Sequence, residues 1–151
     1  MNANTIRIDS SLSNWLEEVA KRSPKAVAEG LRAGAGYYAN TARRLMTQFI
    51  HGAGSITAQG PFKGRRMTDA VFVKSTPADL MVEVYLNTAK DARVDWFNSG
   101  TAPRYTGAKR RKKQRSFRGA LKGTHYFDAA VTHTAEAYRI IEAVTLNELG
   151  K

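Results

Sequence analysis

The chain contains no cysteine. That excludes disulfides, thiolate zinc sites and thiol nucleophiles, and it fits a reducing compartment. It has only three histidines, His51, His125 and His133, and neither His125 nor His133 has a carboxylate at a spacing that would suggest a metal site or a catalytic dyad. The serines have no nucleophile-elbow motif and no identifiable base. Gly52-Ala53-Gly54 follows no strand and precedes no Gly-Lys-Ser/Thr, so it is not a phosphate cradle. A small basic RNase would need a His/Glu/Arg constellation, for which His125 and Glu136 are the nearest candidates. The expectation is therefore no enzyme, no catalytic residue, no metal and no cofactor. No run approaches the ~18 apolar residues of a membrane span, and Met1 to Asp9 lacks the charged-then-apolar pattern of a secretory leader. We expect a soluble intracellular product with no membrane partner.

A more local absence is more informative. Between Asp95 and Asp128 there is no acidic residue, while Arg104, Lys109, Arg110, Arg111, Lys112, Lys113, Arg115, Arg118 and Lys122 make nine basic ones. The formal charge of the whole chain is +11, and without these nine it is +2. The basicity is thus carried by one segment, which repels itself, resists burial and should project into solvent or onto an anionic partner. Four readings are open. The run is a plain solvated loop; a nucleic-acid contact that neutralises phosphates without reading sequence, with Tyr105 and Phe117 available to stack; a contact with an acidic protein surface; or a nuclear import signal. A second, smaller basic group, Lys63, Arg65 and Arg66, closes a glycine-rich stretch.

With 151 residues and 42% hydrophobic content, the chain is long enough for one domain, 1–151, with its own core. Leu12, Trp15, Leu16 and Val19 predict a short amphipathic helix over Ser10–Lys21. Ser23-Pro24 reads as a cap followed by proline in the first turn. From there to about Ile50, Val27, Leu31, Ala35, Tyr38, Ala42, Leu45 and Phe49 form one buried stripe, with Gly30, Gly34 and Gly36 marking a bend or a close approach. Residues 51–67 predict a flexible loop. Asp69–Lys74 and Leu80–Leu86 alternate as a β-pair around a Thr76–Asp79 turn, with Leu80, Val82, Val84 and Leu86 inward. Lys90–Asn98 predicts a short helix ended by Gly100, with Asp91 and Asp95 as a solvated pair near its start. The segment 102–120 is either a hairpin, Thr101–Thr106 against Ser116–Leu121, or an arm that orders on contact. Thr124 caps a final helix to about Leu149, whose stripe runs Phe127, Ala130, Val131, Thr134, Ala137, Tyr138, Ile141 and Val144. Ile140, Leu146 and Leu149 lie off it, a hint of self-association. The predicted class is α+β: long N- and C-terminal helices packed on a small antiparallel sheet, with a long basic loop or hairpin.

Several of these features occur together in one known family. A long alanine-rich N-terminal helix (Ala26, Ala28, Ala33, Ala35) leads into a loop and hairpin. The step Trp96-Phe97-Asn98-Ser99-Gly100-Thr101 follows, and then an aromatic-led final helix, Tyr126-Phe127-Asp128-Ala129-Ala130. In this order they resemble the tail-completion, or head–tail joining, proteins of long-tailed bacteriophages. Where that family commonly has a glutamate before Gly-Thr, this chain has Asn98-Ser99. The resemblance implies a structural virion protein, made in the host cytoplasm and carried in the neck. It implies a sixfold homo-oligomeric ring between connector or stopper proteins and the tail tube or tail terminator, around a DNA channel. Trp96, Phe97, Gly100 and Thr101 would be ring contacts. The Ser55–Arg66 loop and the Arg104–Arg118 segment would be adhesive arms, the latter touching an acidic connector surface or channel DNA. The alternative is a sequence-nonspecific nucleic-acid-binding module using residues 104–118.

Overall fold

Ser23 starts the helix on which the other elements are laid. Its hydroxyl accepts from the Ala26 N–H at 3.4 Å, Pro24 fills the first turn, and α2 then runs unbroken over Pro24–Phe49. The computed structural model describes residues 10–76, 80–102, 105–106, 116–117 and 120–151, with only the backbone of residues 10, 105, 106, 116 and 117. In chain order the elements are α1 (Ser10–Arg22), α2, a 3-10 turn (Met67–Ala70), β1 (Val71–Thr76), β2 (Met81–Leu86), α3 (Arg93–Ser99), β3 (Tyr105–Thr106), β4 (Ser116–Phe117), α4 (Tyr126–Ala129), a second 3-10 turn (Ala130–His133) and α5 (Thr134–Leu149). The fold is α+β, as the hydrophobic periods predict.

Two cores lie along α2. Toward its C-terminus, Ala35, Tyr38, Ala39, Ala42 and Met46 pack with Val71 and Val84 of the sheet, Val94 of α3, and Tyr126, Phe127 and Ala130. Toward its N-terminus, Val27 meets Leu16 of α1 and Ile141 of α5, with Leu12, Trp15, Leu80 and Tyr138 around them. β1 and β2 pair antiparallel, from Val71 opposite Leu86 to Thr76 opposite Met81. Val84 is buried while Met81 and Glu83 are exposed, so the predicted alternation holds. The outer edge of β1 is held by α2, where Arg43 donates to the carbonyls of Val71 (2.6 Å) and Thr68 (3.3 Å) and Arg32 reaches Ser75 Oγ at 3.4 Å.

Gly30 and Gly34 mark a close approach. A Cβ on Gly30 would stand 2.8 Å from the Ile141 carbonyl oxygen and against the Thr145 hydroxyl; one on Gly34 would meet the Ile141 side chain and lie 3.1 Å from Ala137 O. The missing side chains let α5 press onto α2. Gly36 faces open space.

Three expectations need correction. Phe49 is 53% exposed, because Met46 and Ile50 take the inner side where α2 ends. The final helix does not start at Thr124 and is not continuous. His125 adopts a left-handed conformation (φ 51°), α4 makes one turn, and the 3-10 turn Ala130–His133 shifts the chain before α5 begins. The offset lets Tyr126 and Phe127 enter the first core while Ala137 and Ile141 lie on the glycines of α2. The predicted final stripe also changes in membership: Thr145, missing from it, is fully buried, and Val131, included in it, is exposed on the 3-10 turn.

Gly30→Ala should therefore lower stability by about 1–3 kcal/mol, the cost of overpacking a tight contact. Gly36→Ala, at an unobstructed helical position, should raise it by about 0.4–1 kcal/mol. Urea midpoints of the two variants check this, and shifts of the same sign would contradict the assignment.

Candidate functional site

The chain before and after the basic segment meets in one joint, built from the end of α3. A helix end leaves carbonyls without helical partners, and here the chain returning from the basic segment supplies the donors. Thr124 donates to Phe97 O from both its N–H and its hydroxyl (2.8 Å each), and the His125 N–H donates to Asn98 O at 3.0 Å. The buried Asn98 side chain accepts from the Phe127 N–H at 3.0 Å. Tyr126 Oη donates to Val94 O at 2.9 Å, and Tyr38 Oη reaches Phe127 O at 3.0 Å, tying the joint to α2.

Gly100 (φ 85°) turns the chain out of α3 and crosses Gly123 so closely that a Cβ on either would come within 2.8 Å of backbone atoms of the other strand. Gly100 bridges Lys122, the Thr101 N–H donates to Leu121 O (2.9 Å), and the Leu121 N–H donates to Thr101 Oγ1 (3.0 Å). Farther out, Tyr105 pairs with Phe117 and Thr106 with Ser116. The two flanks of the basic run are thus antiparallel partners, as the hairpin reading expects. Arg104, Lys109, Arg110, Arg111, Lys112, Lys113, Arg115 and Arg118 lie outside the described residues.

The glycine-rich loop is attached to the other end of α3. Its backbone closes on itself through Thr57 N–H to Arg65 O (2.9 Å) and Gly64 N–H to Thr57 O (2.8 Å). Arg65 donates to Lys90 O at 2.6 Å, and Phe62 packs edge-on against Trp96 with centroids 5.7 Å apart. Arg93 lies over the opposite partner of that contact, its guanidinium 4.6 Å from the Phe62 centroid, and donates to Thr57 Oγ1 at 2.8 Å. Asp91 is fully buried, clasps Arg93 at 2.6–3.2 Å and accepts from the Arg93 N–H at 3.0 Å. The expected solvated pair is therefore divided: Asp91 is an internal anchor, and Asp95 stays exposed, accepting from Ser99 Oγ.

Of the basic residues in this loop, Lys63 and Arg66 are exposed with no side-chain bond among the described residues, while Arg65 is engaged with Lys90. Of the four expected ring contacts, Trp96 is 38% exposed. Phe97 packs against the first core, and Gly100 and Thr101 are committed to the joint. Asn98, Asp91 and Arg93 are the organising residues that sequence reasoning missed; the two-residue spacing of Asp91 and Arg93 carries no helical-face signal. Among the described residues, no three His, Asp or Glu side chains gather as a metal site.

Burial raises the hydroxyl pKa of both tyrosines, with smaller contributions from Asp128 at Tyr38 and from Asp95 and Asp91 at Tyr126. Tyr38 is pushed from 10.0 to about 12, and Tyr126 rises as well. No family model, curated protein or solved structure matches the chain.

The ties at the two ends of α3 give two expected outcomes. Asp91→Ala leaves a largely buried guanidinium unpaired and should cost about 3 kcal/mol, whereas Asp95→Ala should change stability by less than about 0.5 kcal/mol. Equal thermal shifts would contradict the assignment. The second concerns pH: a folded-state pKa above the unfolded value favours the neutral tyrosines in the fold. That stability is complete below pH 10 and is lost as pH rises through about 12. Absorbance at 295 nm should show two tyrosines ionising together with loss of helical circular dichroism, rather than before it.

Proposed function

We propose that the chain is a structural protein of a bacteriophage neck. Copies assemble as a ring that joins the DNA-filled head, through its connector, to the tail tube, and the protein acts by docking rather than by catalysis. The observation that most supports this reading is the joint at Gly100 and Gly123. It ties the chain before and after the basic run to the end of α3, so the run begins and ends at neighbouring points, as an adhesive arm requires. The family resemblance gives the partner class: connector or stopper proteins on one side and tail-tube or tail-terminator proteins on the other. Among the described residues no helix is long and apolar enough to cross a membrane, and the reading asks for none.

Replacing Lys109, Arg110, Arg111, Lys112 and Lys113 together by serine should leave the thermal transition unchanged and block joining, so that filled heads and free tails accumulate. Infectious particles at wild-type yield would overturn the proposal. The same variant addresses the alternative, nonspecific nucleic-acid binding by residues 104–118. If the wild-type protein alone binds duplex DNA, loses it steeply as salt rises, and the serine variant does not bind, the segment is a phosphate contact.

A further inference from the structure

The arm has a charge complement within its own chain. α5 carries Glu136, Glu142 and Glu148 against Arg139, a formal −2, while Arg104–Lys122 carries +9, and Glu148 is already met by Lys151. Of the other described helices longer than one turn, α1 and α3 balance and α2 carries a surplus of cations. The acidic residues sit on a helix whose outer side is also apolar. Glu142 is exposed and has no side-chain partner among the described residues, and Glu136 is met only by the exposed Arg139 at 3.4 Å. Leu146, one turn after Glu142, is 53% exposed, and Leu149, three residues farther, is 43% exposed. Residues three and four apart share a helix side, so the carboxylate of Glu142 and the bare leucines Leu146 and Leu149 form one stripe of α5, and Glu136, six residues before Glu142, lies beside that stripe. Ala137, Ile141 and Thr145 occupy the adjoining buried side, against α2.

We propose that this outer stripe of α5 is the docking surface for the basic segment 104–118 of a second copy. Lysine and arginine suit such a stripe because their aliphatic stems cover apolar surface while their charged ends reach carboxylates. Glu136 and Glu142 would receive the cations, and Leu146 and Leu149 would receive the stems. The contact joins two different patches, the arm of one copy to α5 of the next, so it is head-to-tail and repeats around a ring. The inference rests on the ring in the proposed function and names the surfaces that close it. It is testable without a phage.

The experiment uses two full-length variants. One carries Glu136→Lys and Glu142→Lys. The other carries glutamate at each of the positions of Lys109, Arg110, Arg111, Lys112 and Lys113. Glu136 and Glu142 are exposed, and an unchanged thermal transition for each variant checks that the fold is kept. Light scattering after size exclusion should show the wild type as an oligomer that dissociates as salt rises, and each variant alone as a monomer. An equimolar mixture of the two should recover the oligomer, because an acidic arm then meets a basic α5 and a basic arm meets an acidic one. A wild type that is monomeric at every concentration, a variant that assembles alone, or a mixture that stays monomeric overturns the contact. None of these outcomes bears on whether infection requires the arm, so failure here is distinguishable from failure of the neck reading.

Discussion

The distance between α2 and α5 is set by two hydrogen atoms where side chains would otherwise stand, at Gly30 and Gly34. Because α5 can approach that closely, Ile141 reaches Val27 and Leu16, and the second core closes over the first half of α2. The same approach leaves the Thr145 hydroxyl buried without a partner among the described residues. A buried unbonded hydroxyl costs stability, and it is tolerated here where dense packing surrounds it. Farther along, α2 becomes the floor for the sheet and for Tyr126 and Phe127, so both cores share one rigid rod.

The joint at α3 works by a different kind of force. Its ties are mostly hydrogen bonds to carbonyls at a helix end, made by residues far along the chain, and almost every one is buried or half-buried. Such bonds fix direction better than apolar contact does, since they weaken steeply with angle. The clasp of Asp91 and Arg93 adds a charged anchor at the other end of the same short helix. A seven-residue helix with little intrinsic stability is thus held at both ends by groups from outside it.

What could be read from the sequence was what repeats. The stripe of α1, that of α2 as far as Leu45, the alternation in β2 and the stop at Gly100 all follow from period and punctuation, and all are present. What could not be read depends on pairs with no common period. Asn98 and Phe127 are 29 residues apart, and neither residue type announces the other. The break before α5 was hidden for a related reason: Tyr126, Phe127 and Ala130 keep helical spacing through a stretch where the backbone changes form. Asp91 looked solvated because a carboxylate near a helix start usually is; the deciding partner, Thr57 with its loop, lies on Arg93 rather than on Asp91 itself. Within the candidate site, the charge was plain from composition and the mounting was not.

The crossing of Gly100 and Gly123 also bears on how such a chain can change over generations. Whatever lies between residues 102 and 120 begins and ends at neighbouring points already fixed by backbone bonds. Lengthening a segment whose ends are held together is inexpensive: each doubling costs only about 0.6 kcal/mol in closure entropy. Residues can therefore be gained, lost or exchanged there with little effect on the cores, and the joint acts as a socket into which different outer segments can be fitted.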